Sequence, residues 1–286
     1  MIDAWKSSKF RYALIRARAR IGRAFYELEK SDSIVVDLSG KVGMGAIICY
    51  ALRIYAYGEL SNRSVNILCS SPLYSKSGDV FARFFERPIS IRKQASLSNS
   101  ATQWLVQHAI PWSIPIGVAQ DIFARQFTPN TFLQEFLGDT FDLSIHYRAT
   151  DKVFESGAPP IAEMLAAVGS AINGEPLNVF LATDDQGFRE KLMSLFPRCT
   201  FSSFELGNVR DGVARHFSNL PPADKAVEAI VNMFKLASAN TCVRTLSYMS
   251  AIVPLINPSI KLITVNAAKK PFYFPEDVLW DRSASI

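Results

Sequence analysis

Three times in the second half of the chain an apolar run ends abruptly in polar residues. The runs are Leu143-Ser-Ile-His-Tyr-Arg-Ala-Thr-Asp-Lys152, Asn178-Val-Phe-Leu-Ala-Thr-Asp-Asp185 and Thr241-Cys-Val-Arg-Thr-Leu-Ser-Tyr-Met-Ser250. In the first, Leu143, Ile145 and Tyr147 alternate with Ser144, His146 and Arg148, the period of a strand. Helical spacing fills the intervals: a segment opening at Pro160, the stretch 186–195, and 223–237 with Val227, Ile230, Val231 and Phe234 as its apolar stripe. Strand and helix in alternation predict a parallel, doubly wound α/β sheet. Ligands of such sheets bind beyond the carboxyl ends of the strands, where these polar groups fall.

The first half is less regular. Ile34-Val-Val-Asp-Leu38 reads as a strand, followed by Ser39-Gly-Lys-Val-Gly-Met-Gly45, a helix over about 46–60, and a strand at Val65-Asn-Ile-Leu-Cys69, which together make one βαβ unit. Gly40, Gly43 and Gly45 stand where the backbone must turn and approach either a ligand or the next helix. No G-K-[ST] follows, and Ile48 occupies the third glycine's place in a G-x-G-x-x-G pattern, so neither nucleotide-loop motif is complete. Residues 80–86 and 131–136 predict short helices, and Pro111-Trp-Ser-Ile-Pro-Ile116 an extended segment. Trp104 and Trp112 are expected in packing roles.

Charge separates the ends of the chain. Residues 1–30 hold eight Lys/Arg against three Asp/Glu, a surplus of five that accounts for the whole net charge of +5. The body is neutral and gives no reason to expect a nucleic-acid partner. Within 8–30, Leu14, Ala17, Ile21, Phe25 and Leu28 form a helical stripe, and the arginines fall largely off it. That pattern fits a packing helix with a solvated basic face, or a peripheral contact with an anionic membrane surface. An organellar targeting segment fits less well, given Asp3, Glu27 and Glu29. Met1-Ile-Asp-Ala4 lacks the apolar run of a secretory signal. Cys49, Cys69, Cys199 and Cys242 form no C-x-x-C pair, and only three histidines are present, so buried thiols are expected, with no structural zinc. The expectation is a cytoplasmic protein, peripheral to the inner face of the membrane if the basic helix engages it.

The segments I-H-Y-R-A-T-D-K (145–152), V-F-L-A-T-D-D (179–185) and the block 227–263 resemble the GDP-fucose-dependent fucosyltransferases, in the branch with the nodulation-factor and core α1,6-fucosyltransferases. The resemblance covers 139–265 well and the first 138 residues weakly. It implies a GT-B-like architecture: a basic helix (1–30), an acceptor-side Rossmann-like domain (31–138), a nucleotide-sugar-binding Rossmann-like domain (139–265) and a tail (266–286), with a cleft between the two domains. It implies an inverting glycosyltransferase moving fucose from GDP-fucose to a carbohydrate acceptor, with no cofactor. The alternative it leaves open is an inactive relative that binds a nucleotide sugar or glycan.

Such a reaction releases a diphosphate, whose developing charge needs cations and donors. Arg148 is the first candidate, since a guanidinium grips phosphate through two N–H groups. Lys152 adds a second charge, and Thr245 and Ser247 are candidate hydroxyl donors. The resemblance puts His146 near the nucleoside and Asp151, Asp184 and Asp185 at the donor, with Gly43 and Gly45 facing the sugar. Asp184 and Asp185 are adjacent, with no third carboxylate nearby in sequence, so no metal is predicted. Glu155 is the candidate base toward the acceptor hydroxyl, relayed through Lys152, though its spacing is one residue off the family pattern. Two positions depart from that pattern. Ala149 stands where a second arginine is usual, and Asn232 where an acid reads guanine. An amide offers one acceptor and one donor, and the donor clashes with guanine's N–H edge.

Overall fold

A computed structural model describes residues 33–86, 114–148, 160–207, 217–265 and 280–281. The basic helix at 8–30, Trp104 and Trp112, and Asp151, Lys152 and Glu155 lie outside the described residues.

The N-terminal unit opens with β1 (Ser33–Asp37), α1 (Met44–Ser61) and β2 (Ser64–Leu68), the two strands pairing in parallel from Ser33↔Ser64 to Asp37↔Leu68. Fourteen of the eighteen residues of α1 are buried. A helix apolar on all sides belongs in the middle of a core, and α1 sits there. Gly58 seats it on β2: a Cβ at that position would come within 2.3 Å of Val65 Cγ2. The helix ends at Asn62 in the left-handed conformation, with its N–H on the Glu59 and Gly58 carbonyls. Around α1 lie α2 (Val80–Phe84), α3 (Ile116–Gln126) and α4 (Thr131–Gln134). The extended segment predicted at 111–116 is described only at β3 (Ile114–Pro115), which pairs with β9 (Trp280–Asp281), and α3 follows at once. Proline as the N-cap of α3 explains why the stretch reads as extended and the helix behind it was missed.

The second unit is a five-stranded sheet, all parallel, in the order β6-β5-β4-β7-β8. Its strands are β4 (Phe141–Tyr147), β5 (Asn178–Thr183), β6 (Thr200–Ser202), β7 (Ala239–Arg244) and β8 (Lys261–Thr264). The connecting helices are α5 (Ile161–Ile172), α6 (Gln186–Leu195), α7 (Pro222–Ala237) and α8 (Tyr248–Ile256). The first strand is central, and the chain winds outward through β5 and β6 before returning to the far side of β4 as β7. The strand order reverses between β4 and β7, the switch point where parallel sheets leave a crevice. One face of β4 packs Leu143, Ile145 and Tyr147 with Met164, Val168, Phe188 and Leu192. From its other face Ser144 donates to the Leu236 carbonyl of α7 at 2.7 Å.

Helices α7 and α8 belong to both units. Leu236, Ala237 and Val253 pack with Phe180 and Cys242 of the large sheet. Val227, Ile230, Val231, Met233, Ile252 and Leu255 join the core around α1. Helices α1 and α8 come close at Gly45, where a Cβ would stand 2.6 Å from both Met249 N and Tyr248 C. The N-termini of α1 and α8 therefore meet backbone to backbone. All four cysteines are free thiols, three of them buried.

Candidate functional site

A cleft of about 450 Å³ opens where these elements converge. Four separated segments supply most of its walls: the turn Lys41–Ala46 with Tyr50, the end of β4 (His146 to Arg148), the end of β5 (Leu181 to Asp184), and the N-terminus of α8 (Tyr248 and Met249). Tyr74 contributes from the loop after β2, and Phe204, Glu205, Glu228 and Asn232 from the β6–α7 side.

The glycine turn is held from below. Asp37 accepts from Ser70 N and Oγ, and Ser71 Oγ donates to the Gly40 carbonyl at 2.7 Å. Gly43 is the N-cap of α1, with no side-chain cap, an ordinary φ of −59°, and open space where a Cβ would stand. Of the two glycines expected to face the donor, both line the cleft, but only Gly45 is sterically required, and the backbone it admits is that of α8. The first N–H of α1, on Met44, donates to the Tyr74 hydroxyl at 2.8 Å. Burial pushes the Tyr74 phenol well above its ordinary range, against the Met44 N–H and the Arg148 guanidinium, which pull it down. Arg148 thus acts electrostatically on the tyrosine that caps α1, across the cleft from its own strand.

His146 is buried, with Nδ1 3.4 Å from the Thr245 carbonyl. A carbonyl only accepts, so Nδ1 is the donor in this contact. Tyr147 packs against Phe188, ring centroids 4.3 Å apart and planes tilted by 33°. Burial, then the charges of Asp185 and Asp184, push its phenol up to about 12.

The two acids of the V-F-L-A-T-D-D run separate in role. Asp184 lines the cleft. Asp185 is the N-cap of α6, its carboxylate accepting from Phe188 N at 2.7 Å. Among the described residues no three His, Cys, Asp or Glu gather as a metal-ligand set.

Thr245 and Ser247 are displaced from the role that sequence assigned them. Both are buried and neither lines the cleft. Ser247 is the N-cap of α8 in a reciprocal capping box with Ser250. Thr245 Oγ1 accepts from Arg148 N at 3.2 Å. The run 241–250 looks like a strand with a hydroxyl-rich exit, but a helix starts at Tyr248: its first turn takes up Ser247, and the exit of β4 takes up Thr245.

Asn232 lines the cleft with 8% exposure. Its Nδ2 donates to the Phe204 carbonyl at 3.0 Å, and among the described residues its buried Oδ1 has no hydrogen-bond partner. One helical turn earlier Glu228, also buried and cleft-lining, accepts from Leu206 N at 2.8 Å. The pair holds segment 204–206 as a strand edge would. Arg189 from α6 pairs with Glu205 of the same segment. Tyr74, Lys41, Lys225 and Glu228 escaped the sequence reading. Glu228 was findable, four residues before Asn232 on the same helix face.

No protein-family model and no curated protein matches the chain. Solved structures do. The fucosyltransferase NodZ from Bradyrhizobium is 14% identical, covering 80% of this chain and 94% of its own, with a TM-score of 0.47. An α-1,6-fucosyltransferase NodZ structure soaked with GDP-fucose gives the same values. A point mutant of Arabidopsis thaliana FUT1 in complex with GDP is 10% identical, covering 91% of this chain and 78% of its own, at a TM-score of 0.46. These structures come from the family that the motifs resemble.

Proposed function

We propose that the protein is an inverting, metal-independent glycosyltransferase that moves fucose from GDP-fucose to a carbohydrate acceptor, its cleft lying between two Rossmann-like units. One observation carries the reading. Four segments distant in sequence, three of them singled out by their own polar endings, line a single cleft at the switch point of a parallel sheet.

In this reading the bond from the anomeric carbon to the diphosphate oxygen breaks, and its electron pair leaves with the diphosphate. The acceptor oxygen bonds to the opposite face of that carbon. Arg148 grips the departing diphosphate, and Lys41 and Lys225 add positive charge to the same cleft. Lys152 and Glu155 would relay the acceptor's proton, a role taken from the resemblance alone. The amide at Asn232 does not oppose guanine as its composition suggests. Its Nδ2 is drawn to the Phe204 carbonyl and its Oδ1 is buried in the wall, so the acceptor this side of the cleft offers a guanine edge is the Glu228 carboxylate one turn earlier.

A thermal-shift panel of GDP, UDP, CMP and ADP tests the donor. GDP at a hundredfold excess over Kd should add about 2.7 kcal/mol of stability, roughly 5–10 °C for a chain of this size. Equal shifts with every diphosphate, or none, would remove the GDP assignment. Arg148→Ala should abolish transfer with the fold intact, and Arg148→Lys should restore little, since a point charge does not replace a two-pronged donor. Near-normal turnover in either variant would free Arg148 of the diphosphate role.

A further inference from the structure

Arg148 stands one residue beyond the last rung of β4: the ladder to β7 ends at His146↔Arg244, and that to β5 at Tyr147↔Thr183. Its backbone N–H therefore lies past the end of both ladders. It donates instead to the Thr245 hydroxyl, which is 1% exposed and outside the cleft wall. The same hydroxyl makes a long contact to the His146 carbonyl at 3.5 Å, and Thr245 N donates to that carbonyl at 2.9 Å.

Thr245 is itself clamped. Its carbonyl accepts from Ser250 Oγ at 2.8 Å, and the Ser250 carbonyl accepts from Nη1 of the fully buried Arg244 at 2.8 Å. Ser250 and Ser247 close the capping box of α8. One connected set of buried hydrogen bonds thus runs from the first turn of α8 to the point where the chain leaves β4. Its last link is a single hydroxyl.

We infer that Thr245 is a positioning residue for Arg148: its hydroxyl fixes the exit of β4 and so the direction of the guanidinium across the cleft. This rests on the proposed role of Arg148 at a diphosphate. Thr245 touches no ligand. Its hydroxyl takes the place of a ladder acceptor for the half-buried Arg148 N–H where the sheet has ended.

Thr245→Val keeps the shape and deletes only the hydroxyl, Thr245→Ser keeps the hydroxyl, and each is combined with Arg148→Ala. Affinity for inorganic pyrophosphate is measured by calorimetry, with the melting temperature recorded for every variant. If valine prevents folding, Thr245→Cys, whose sulfur is a weak acceptor, replaces it. The expected result is affinity about tenfold weaker in Thr245→Val, the scale of one hydrogen bond to a charged group, with serine near normal. In the Arg148→Ala background the valine should cost nothing further, because the group it positions is gone. An unchanged affinity in Thr245→Val, or an equal loss with and without Arg148, would make Thr245 a purely structural residue while leaving the donor reading intact. Failure of the unaltered protein to bind pyrophosphate and GDP would overturn the donor reading and this inference with it.

Discussion

Adding one carbon at Gly45 should do more damage than adding one at Gly43, two residues away on the same turn. A Cβ on Gly45 would lie 2.6 Å from Met249 N and Tyr248 C and 2.8 Å from Tyr248 O, all backbone atoms of the first turn of α8. Ordinary contact begins near 3.4 Å, so α1 and α8 must separate by roughly 0.8 Å, and no side chain is there to swing aside. Overpacking of this kind costs about 1–3 kcal/mol, and the better helix propensity of alanine returns at most about 1. A net loss of roughly 1–2 kcal/mol lowers the melting temperature by about 2–8 °C. At Gly43 nothing lies within 4 Å, and φ is −59°. The cost of Gly43→Ala is then only the poorer N-cap, on the order of 1 kcal/mol or less. The assay is thermal unfolding of both variants, followed by transfer at a temperature where both are folded. Gly45→Ala should also lose turnover, on the order of a hundredfold for a displacement near 1 Å between two cleft walls, while Gly43→Ala keeps most of it. Equal melting temperatures would refute the backbone contact. A large loss of turnover in Gly43→Ala alone would mean that the turn's open glycine, not its packed one, meets the substrate.

Transfer by chelator-treated protein should persist in excess EDTA, because Arg148, Lys41 and Lys225 bring cations to the cleft; rates that collapse and return with Mg²⁺ or Mn²⁺ would show that charge account to be wrong. Asp185→Ala should cost about 0.5–2 kcal/mol in denaturant unfolding through the lost cap of α6, and Asp185→Asn much less, since an amide oxygen still accepts from Phe188 N; equal losses would point to the charge rather than the cap. For Tyr147 the folded phenol is raised to about 12, above its unfolded value near 10. The unfolded chain therefore ionises first as pH rises, and the stabilising contribution, complete below pH ~10, is lost toward ~12. Tyr147→Phe should flatten that part of the stability curve, and a curve unchanged by the substitution would show that Tyr147 does not drive it.

Much of the fold was legible because its strands end where their apolar alternation ends. The polar exits at Arg148 and Asp184 mark the carboxyl edge of the sheet, and the helix read at 186–195 is α6, Gln186–Leu195. What stayed hidden has a common cause. Helix α8 begins inside a segment that satisfies a strand pattern, and Pro254 lies within it, so neither period nor composition announces a helix. Strand β6 is three residues long, too short to carry a period. The sharing of α7 and α8 between two cores is a tertiary fact: a sequence stripe shows one apolar face, whereas α7 buries ten of its sixteen residues against two partners.

The site followed the same division. Residue types at strand ends were readable, since chemistry at the carboxyl edge of a parallel sheet follows from topology. Which polar group faces the ligand and which holds the wall was not, because Ser, Thr, Asp and Asn do both kinds of work and local backbone decides between them. Asp184 and Asp185 make the point within one dipeptide: a single step into the first turn of α6 makes the second acid a cap and leaves the first on the cleft. Asn232 makes it in reverse. Its composition speaks against an N–H-rich ligand edge, yet the Phe204 carbonyl draws the offending donor away and, among the described residues, leaves Oδ1 buried and unmatched in the wall. A buried acceptor without a partner costs about 1–3 kcal/mol, a cost that a folded chain rarely carries without a use. How Asn232 and Glu228, one turn apart on α7, hold the 204–206 segment therefore describes this wall better than the identity of either residue alone.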